Sequence, residues 1–441
     1  MIHPFDIQIA EALGADLAPS VFVELTGEGE LPSWFDVSDL AVASICAAAS
    51  EATAVLGASE VSVNRRRALM WFDMTLRPIG WEIPGTWDSI AGDYATSDGW
   101  IRLHTNAPHH RLAALDILGC QPDREAVAEA VAGLEKTKLE TAIVKVGGCA
   151  AAMHSLDDWS AHPQGQSVAQ EPLIAWHDTG AVGRPTPLDG LRVLDLTRVL
   201  AGPVATRFLA GYGANVLRID PPDWNEPGVE PEVTLGKTCA GLDLNTAADR
   251  NTFEDLLKQA DVLVHGYRSG ALEALGYGET RLRQLSPQLS EVSLNAYGHT
   301  GPWARRRGFD SLVQMSSGIA DAGMWHSGNN RPLPLPVQAL DHATGYLMAA
   351  TVLRALRIRQ KTGRIMKAKL SLARTATLLT SAGVRHHQRN IDPETDADLV
   401  PGTENTGWGA ARRVRFPVHI KDHPASWHRP SGPLRTARAE W

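Results

Sequence analysis

The chain has 441 residues, 44% of them hydrophobic and 21% charged, with a formal net charge of −8. This is the composition of an ordinary globular protein with room for two or three units that each bury a core, and it argues against a general nucleic-acid binder, which carries a basic stripe. The sequence reads as having no apolar run near the roughly 20 residues of a membrane span, and residues 1–20 lack the basic flank and long apolar core of a secretory signal. A cytoplasmic location with no membrane partner is the expectation. The cysteines Cys46, Cys120, Cys149 and Cys239 lie far apart, without metal-like or redox spacing, and read as reduced thiols.

Along the chain, residues 37–57 are Ala-rich with Ser and Asp in front and Gly behind, which predicts a helix. Residues 78–92 read as loop, and Gly99–Leu103 as a short strand after the turn Ser97-Asp98-Gly99. Helices are expected at 108–119, 123–134 and 135–146. The Pro- and Gly-rich stretch 161–190 ends in Gly183-Arg184-Pro185-Thr186-Pro187, read as a linker because closely spaced prolines favour extended chain.

Beyond it the pattern changes. Strand-like runs at 191–196, 215–220, 261–265 and 290–294 alternate with helical patterns at 201–214, 249–259 and 279–285. The first strand–helix–strand has the length of a βαβ unit. The alternation predicts an α/β fold with a doubly wound, mainly parallel Rossmann-like sheet and a smaller α+β domain. The expected units are 1–184, 185–380 and a wrapping tail, 381–441. No repeat of solenoid period is visible.

Ligands of doubly wound sheets sit at the carboxyl ends of the strands. The turn Thr197-Arg198-Val199-Leu200-Ala201-Gly202-Pro203 is not the G-x-G-x-x-G that a dinucleotide pyrophosphate needs, so an NAD site is not expected. Asp341 follows a proline-rich approach and opens a long helical pattern. By itself it reads first as a structural helix cap. The histidines His104, His109 and His110 lack an HExxH motif and clustered acids, so no metal is expected.

The run PLDGLRVLDLTRVLAGPVATRFLAGYGANVLRID (187–220) resembles the opening of the family III CoA-transferases, the group of formyl-CoA transferase, carnitine CoA-transferase and α-methylacyl-CoA racemase. The likeness continues through GKTCAGLDLN (236–245), ADVLVHGYRSGALEALGYG (260–278), 285–320 and 335–364. The resemblance implies coenzyme A or an acyl-CoA as substrate with no permanently bound cofactor, a small carboxylic acid as second substrate, and an interlocked homodimer. It implies Asp341 as nucleophile or base. It places Arg198, Val199, Leu200, Ala201, Lys237, Tyr267, Arg268 and Arg307 at the coenzyme.

Gly308-Phe309-Asp310 stands where the racemase branch has G-H-D, so the imidazole of a second base is missing and transfer is favoured. An acyl-CoA isomerase, racemase or lyase, and a CoA-binding protein without turnover, stay open as alternatives. His342, next to Asp341, is expected to point elsewhere, because adjacent helical positions diverge by about 100°. Residues 92–119 and 139–164 resemble family segments that ordinarily follow the catalytic Asp, so the chain reads as circularly permuted, or as a fusion of two copies that each lost a part.

Overall fold

The computed structural model describes residues 3–14, 21–386 and 390–441. Its centre is a seven-stranded sheet in the order Lys237–Gly241, Asn215–Asp220, Arg192–Leu196, Val262–His265, Ser290–Asn295, Arg364–Ser371, Ala175–Val182. The first six strands are parallel and the last is antiparallel. The strands are buried, aliphatic and β-branched, as expected where helices cover both faces.

Strand Ala175–Val182 lies before the linker and pairs with Arg364–Ser371. The expected boundary at 184 therefore falls between two strands of one sheet. The prolines there make a connection inside the unit.

Helix Ala339–Thr362 runs behind the sheet, buried along nearly its whole length and closed by Gly363 in the left-handed conformation (φ 74°). Gly345 lets it touch the start of helix Ala201–Gly211, since a Cβ there would stand 2.4 Å from the Ala201 carbonyl. Helix Val37–Leu56 packs along it, tied by the buried Glu51, whose carboxylate meets Arg357 at 2.9 Å and Arg354 at 3.5 Å. This helix corrects the reading of the apolar runs: it is long and apolar enough to cross a membrane, and 61% of its apolar window is buried inside the protein. Its apolar side chains serve the core beside the long helix.

Residues 92–152 form the smaller domain, a three-stranded antiparallel sheet (Gly92–Thr96, Gly99–Leu103, Ala150–Ala152) covered by helices Pro108–Leu118, Arg124–Ala132 and Lys136–Lys145. The tail wraps. Gly409–Arg413 pairs with Leu76–Pro78, Val418–Ile420 with Val61–Asn64, and Ala437 bridges to Ala240. Buried Glu232 clamps it by accepting from the Thr75 amide (2.9 Å) and pairing with Arg207 and Arg413. Burial opposes the Glu232 charge, yet the two arginines hold its pKa down to about 2.

Candidate active site

The strand order reverses direction of growth between Arg192–Leu196 and Val262–His265, the topological switch point at which doubly wound sheets bind ligands. A cavity of about 360 Å³ lies there, within the ordinary range for small-molecule sites. Its walls are the two loops that leave those strands, Arg198, Val199 and Ala201 on one side and Gly266, Tyr267 and Arg268 on the other. Asp341 lines it from the first turn of the long helix, and His109, His110 and Arg307 come from the side of the smaller domain.

The first loop is strained. Val199, a β-branched residue, sits at φ 65°, and its N–H donates to Glu226 Oε2 (2.8 Å). Non-glycine residues hold this conformation only where the surroundings impose it, and such residues cluster at functional sites. Gly202 permits the tight turn, since a Cβ there would meet Thr197 at 2.2 Å. The Arg198 guanidinium is held against Trp224 (4.9 Å) and Tyr267 (5.6 Å), which fixes the direction of its charge.

Asp341 is 7% exposed and is not the helix cap. The cap position is Gln338, which makes no side-chain cap bond. Asp310 does that work across the fold: its carboxylate accepts from the Asp341 amide (2.9 Å), from the Leu340 amide and from the Gln314 side chain. The Asp341 carboxylate has no hydrogen bond or ion pair among the described residues. Burial, and then the neighbouring Asp310 charge, push it well above the usual carboxylate range. Burial also raises Asp310, to about 6. Two carboxyl groups in one dry corner titrate as a pair.

Of the residues expected at the coenzyme, Arg198, Val199, Ala201, Tyr267, Arg268 and Arg307 come together around the cavity, and two do not. Lys237 is fully buried beneath it, donating to Asp195 Oδ2 and the Pro203 carbonyl, both at 3.0 Å. Leu200 turns into the apolar core. Lys237 is thus a structural cation, because its strand runs under the turn and not along the cavity. Arg268 is lowered, first by its own burial and then by Arg307 and Arg305, so an anion at this wall would relieve the repulsion.

The three arginines 305–307 divide. Arg306 and Arg307 both line the cavity, but the Arg306 guanidinium is tied to Glu140 (2.7 Å) and lies over Trp303 (3.9 Å). Phe309 stacks on His104 with ring centroids 3.7 Å apart. His342 faces Phe72 (5.1 Å), away from the cavity.

His110, considered from sequence only as a metal ligand, belongs to the cavity. It lines the cavity, is buried, and sits with Nε2 3.5 Å from Cys149 Sγ, while its Nδ1 has no partner. Burial lowers its pKa to about 3, so the ring is neutral. Trp224 was invisible, because it lies in irregular chain with no periodicity to mark it.

A strained loop at a switch point, arginines lining the cavity and the buried carboxyl pair Asp310 and Asp341 together make a Rossmann-type candidate site. The model of CoA-transferase family III matches residues 188–410, and the chain belongs to that family. An acyl-CoA transferase of Fusarium pseudograminearum is 31% identical over 232 residues, covering 47% of this chain and 50% of the relative. The acetyl-CoA:oxalate CoA-transferase of Acetobacter aceti is 34% identical over 191 residues (40% and 49%). The formyl-CoA:oxalate CoA-transferase of Escherichia coli O81 is 28% identical over 249 residues (51% and 59%). The chain spans about half the length of these relatives. Among solved structures, a CAIB/BAIF family protein from Brucella suis is 27% identical with a TM-score of 0.40, covering 52% of this chain and 65% of that one.

Proposed function

We propose that the chain transfers coenzyme A between carboxylic acids with Asp341 as covalent nucleophile. The observation that carries this is the Asp341 carboxylate, unpartnered on the floor of a cavity whose rim is basic. An Asp341 oxygen attacks the thioester carbonyl; the C–S bond breaks, leaving an aspartyl–acyl anhydride and CoA thiolate. The thiolate then attacks the aspartyl carbonyl and releases the first carboxylate. The acceptor acid repeats the two steps in reverse and restores Asp341. Arg198, Arg268 and Arg307 suit the coenzyme's phosphates, since guanidinium pairs bidentately with them. Tyr267 and the backbone of Val199 and Ala201 line the path to the thioester. Incubation with a panel of acyl-CoAs and carboxylates tests it: CoA should appear on the added acid, and hydrolysis alone would contradict transfer.

Attack requires the ionised form, so the rate of acylation rises with pH through the upper apparent pKa of the Asp310–Asp341 pair. Asp310→Asn removes the like charge and keeps one acceptor for the helix amides. The midpoint of the pH–rate profile should move to lower pH, and acylation at pH 6 should speed up. An unmoved midpoint would show that the two groups do not titrate together. For stability the sign is opposite to that of an ion-paired acid. Both folded pKa values are raised, so the pair favours the fold at low pH, and this contribution fades as pH rises from the ordinary carboxylate range through the raised values.

A second reading, α-proton chemistry on an acyl-CoA, draws on His110. It sets a neutral imidazole on the same cavity as Asp341, although Phe309 stands where the racemase branch has its histidine. Deuterium uptake at the α-carbon without acylation would support it.

A further inference from the structure

Two parts of the chain are built alike. Residues 21–70 run strand Val23–Thr26, helix Val37–Leu56, strand Val61–Asn64, helix Arg65–Met70. Residues 290–380 contain strand Ser290–Asn295, helix Ala339–Thr362, strand Arg364–Ser371 and helix Leu372–Thr380. In each the two strands pair in parallel, Val23-Glu24-Leu25-Thr26 on Val61–Asn64 and Val292-Ser293-Leu294-Asn295 on Ala368 to Ser371.

The details coincide beyond element order. The residue before each long helix has the same unusual backbone, Asp36 at φ −71°, ψ 51° and Gln338 at φ −73°, ψ 62°. Both helices are entered by the same tight bond, the Val37 amide on the Phe35 carbonyl and the Ala339 amide on the Val337 carbonyl, each 2.7 Å. Both end on a left-handed glycine, Gly57 at 73° and Gly363 at 74°. In both, the last residue of the second strand caps the short helix: Asn64 accepts from the Arg67 amide (3.1 Å) and Ser371 from the Arg374 amide (3.2 Å). Tight-turn entry, αL exit and side-chain cap are separate devices, so their joint recurrence has no simple explanation in local propensity.

The match sets Asp39 opposite Asp341, each the third residue of its helix, and Arg65 opposite Leu372. Leu372 lines the catalytic cavity. Arg65 instead donates to the acid of its own copy, with Nη1 2.7 Å from Asp39 Oδ1, and His3 stands 3.9 Å from the other oxygen. A carboxylate paired in this way is a poor nucleophile. The two long helices pack on one another, and residues 339–357 of the catalytic helix are buried within a single chain.

We infer that residues 21–70 are a degenerate second copy of the catalytic unit, kept as a scaffold that covers the catalytic helix and disarmed by Arg65. The chain is then a fusion of two copies, not a permutation. It supplies by itself the covering element for which a partner would otherwise be needed, so the protein works as a monomer with one site, at Asp341.

Two measurements on the intact chain test this, the second resting on the function proposed above. Sedimentation at micromolar concentration should give the mass of one chain; a stable dimer would overturn the inference. Incubation with a labelled acyl-CoA should leave at most one acyl group per chain, the same in Asp39→Asn as in wild type. Two groups per chain, or loss of the label in Asp39→Asn with the fold intact, would also overturn it. If no acyl group forms on either acid, the nucleophile reading fails, and sedimentation still decides the inference.

Discussion

Asp341→Asn should lower CoA transfer by about 10³-fold or more while leaving CoA binding within a few-fold of wild type, as expected when a nucleophile is lost and the binding groups remain. Asparagine has the same shape and keeps its backbone amide on Asp310. It also removes one of two like charges from a buried corner, so the variant should be at least as stable as wild type near neutral pH, where ionised Asp341 is unfavourable. Lost turnover with unchanged or raised stability separates a chemical role from a structural one. Turnover within tenfold of wild type would remove Asp341 from the chemistry.

Asp195→Ala should have the largest effect on stability. Asp195 is fully buried, takes the Lys237 ammonium at 3.0 Å, and accepts from the Thr197 amide (2.9 Å) and the Thr206 hydroxyl (2.6 Å). Removing it strands Lys237 with only the Pro203 carbonyl, and breaking a buried pair on one side costs about 3–5 kcal/mol. Burial works against the Asp195 charge, but Lys237 and Arg218 outweigh it and hold the carboxyl below its usual range. Such a group adds stability above the ordinary carboxylate range that is lost as pH falls through the folded value. Urea midpoints of wild type and variant should therefore lie far apart at neutral pH and converge in acid. A difference under about 1 kcal/mol would mean that the pair contributes little. Asp195→Leu combined with Lys237→Met should recover much of the loss, since apolar replacements of a buried pair are well tolerated.

The sheet was legible because its strands are short β-rich runs between amphipathic helices, and hydrophobic period is local information. Strand Ala175–Val182 was missed for a physical reason. As an edge strand, with polar residues such as His177, Asp178 and Thr179, it carries neither a continuous apolar run nor a clean alternation. In the candidate site, Asp341 and the loop at 198–201 were marked by motif, but motif could not tell which basic residue faces the cavity. Lys237 and Arg268 sit in equally plausible positions, and only the packing shows one beneath the floor and the other on the wall. His110 and Asp310 became candidates through contacts between segments far apart in the chain. The sequence left permutation and fusion of two copies both open, because what residues 21–70 and 290–380 share is backbone geometry, and few of their side chains match.

Formation of a covalent bond at Asp341 is open to direct measurement. Incubating the protein with an acyl-CoA, quenching with hydroxylamine or borohydride and mapping the peptides by mass spectrometry tests it most directly, because both reagents trap activated acyl groups. The modified side chain is expected at Asp341, and none in Asp341→Asn. Deuterium uptake at the substrate α-carbon with an unmodified Asp341 would contradict it.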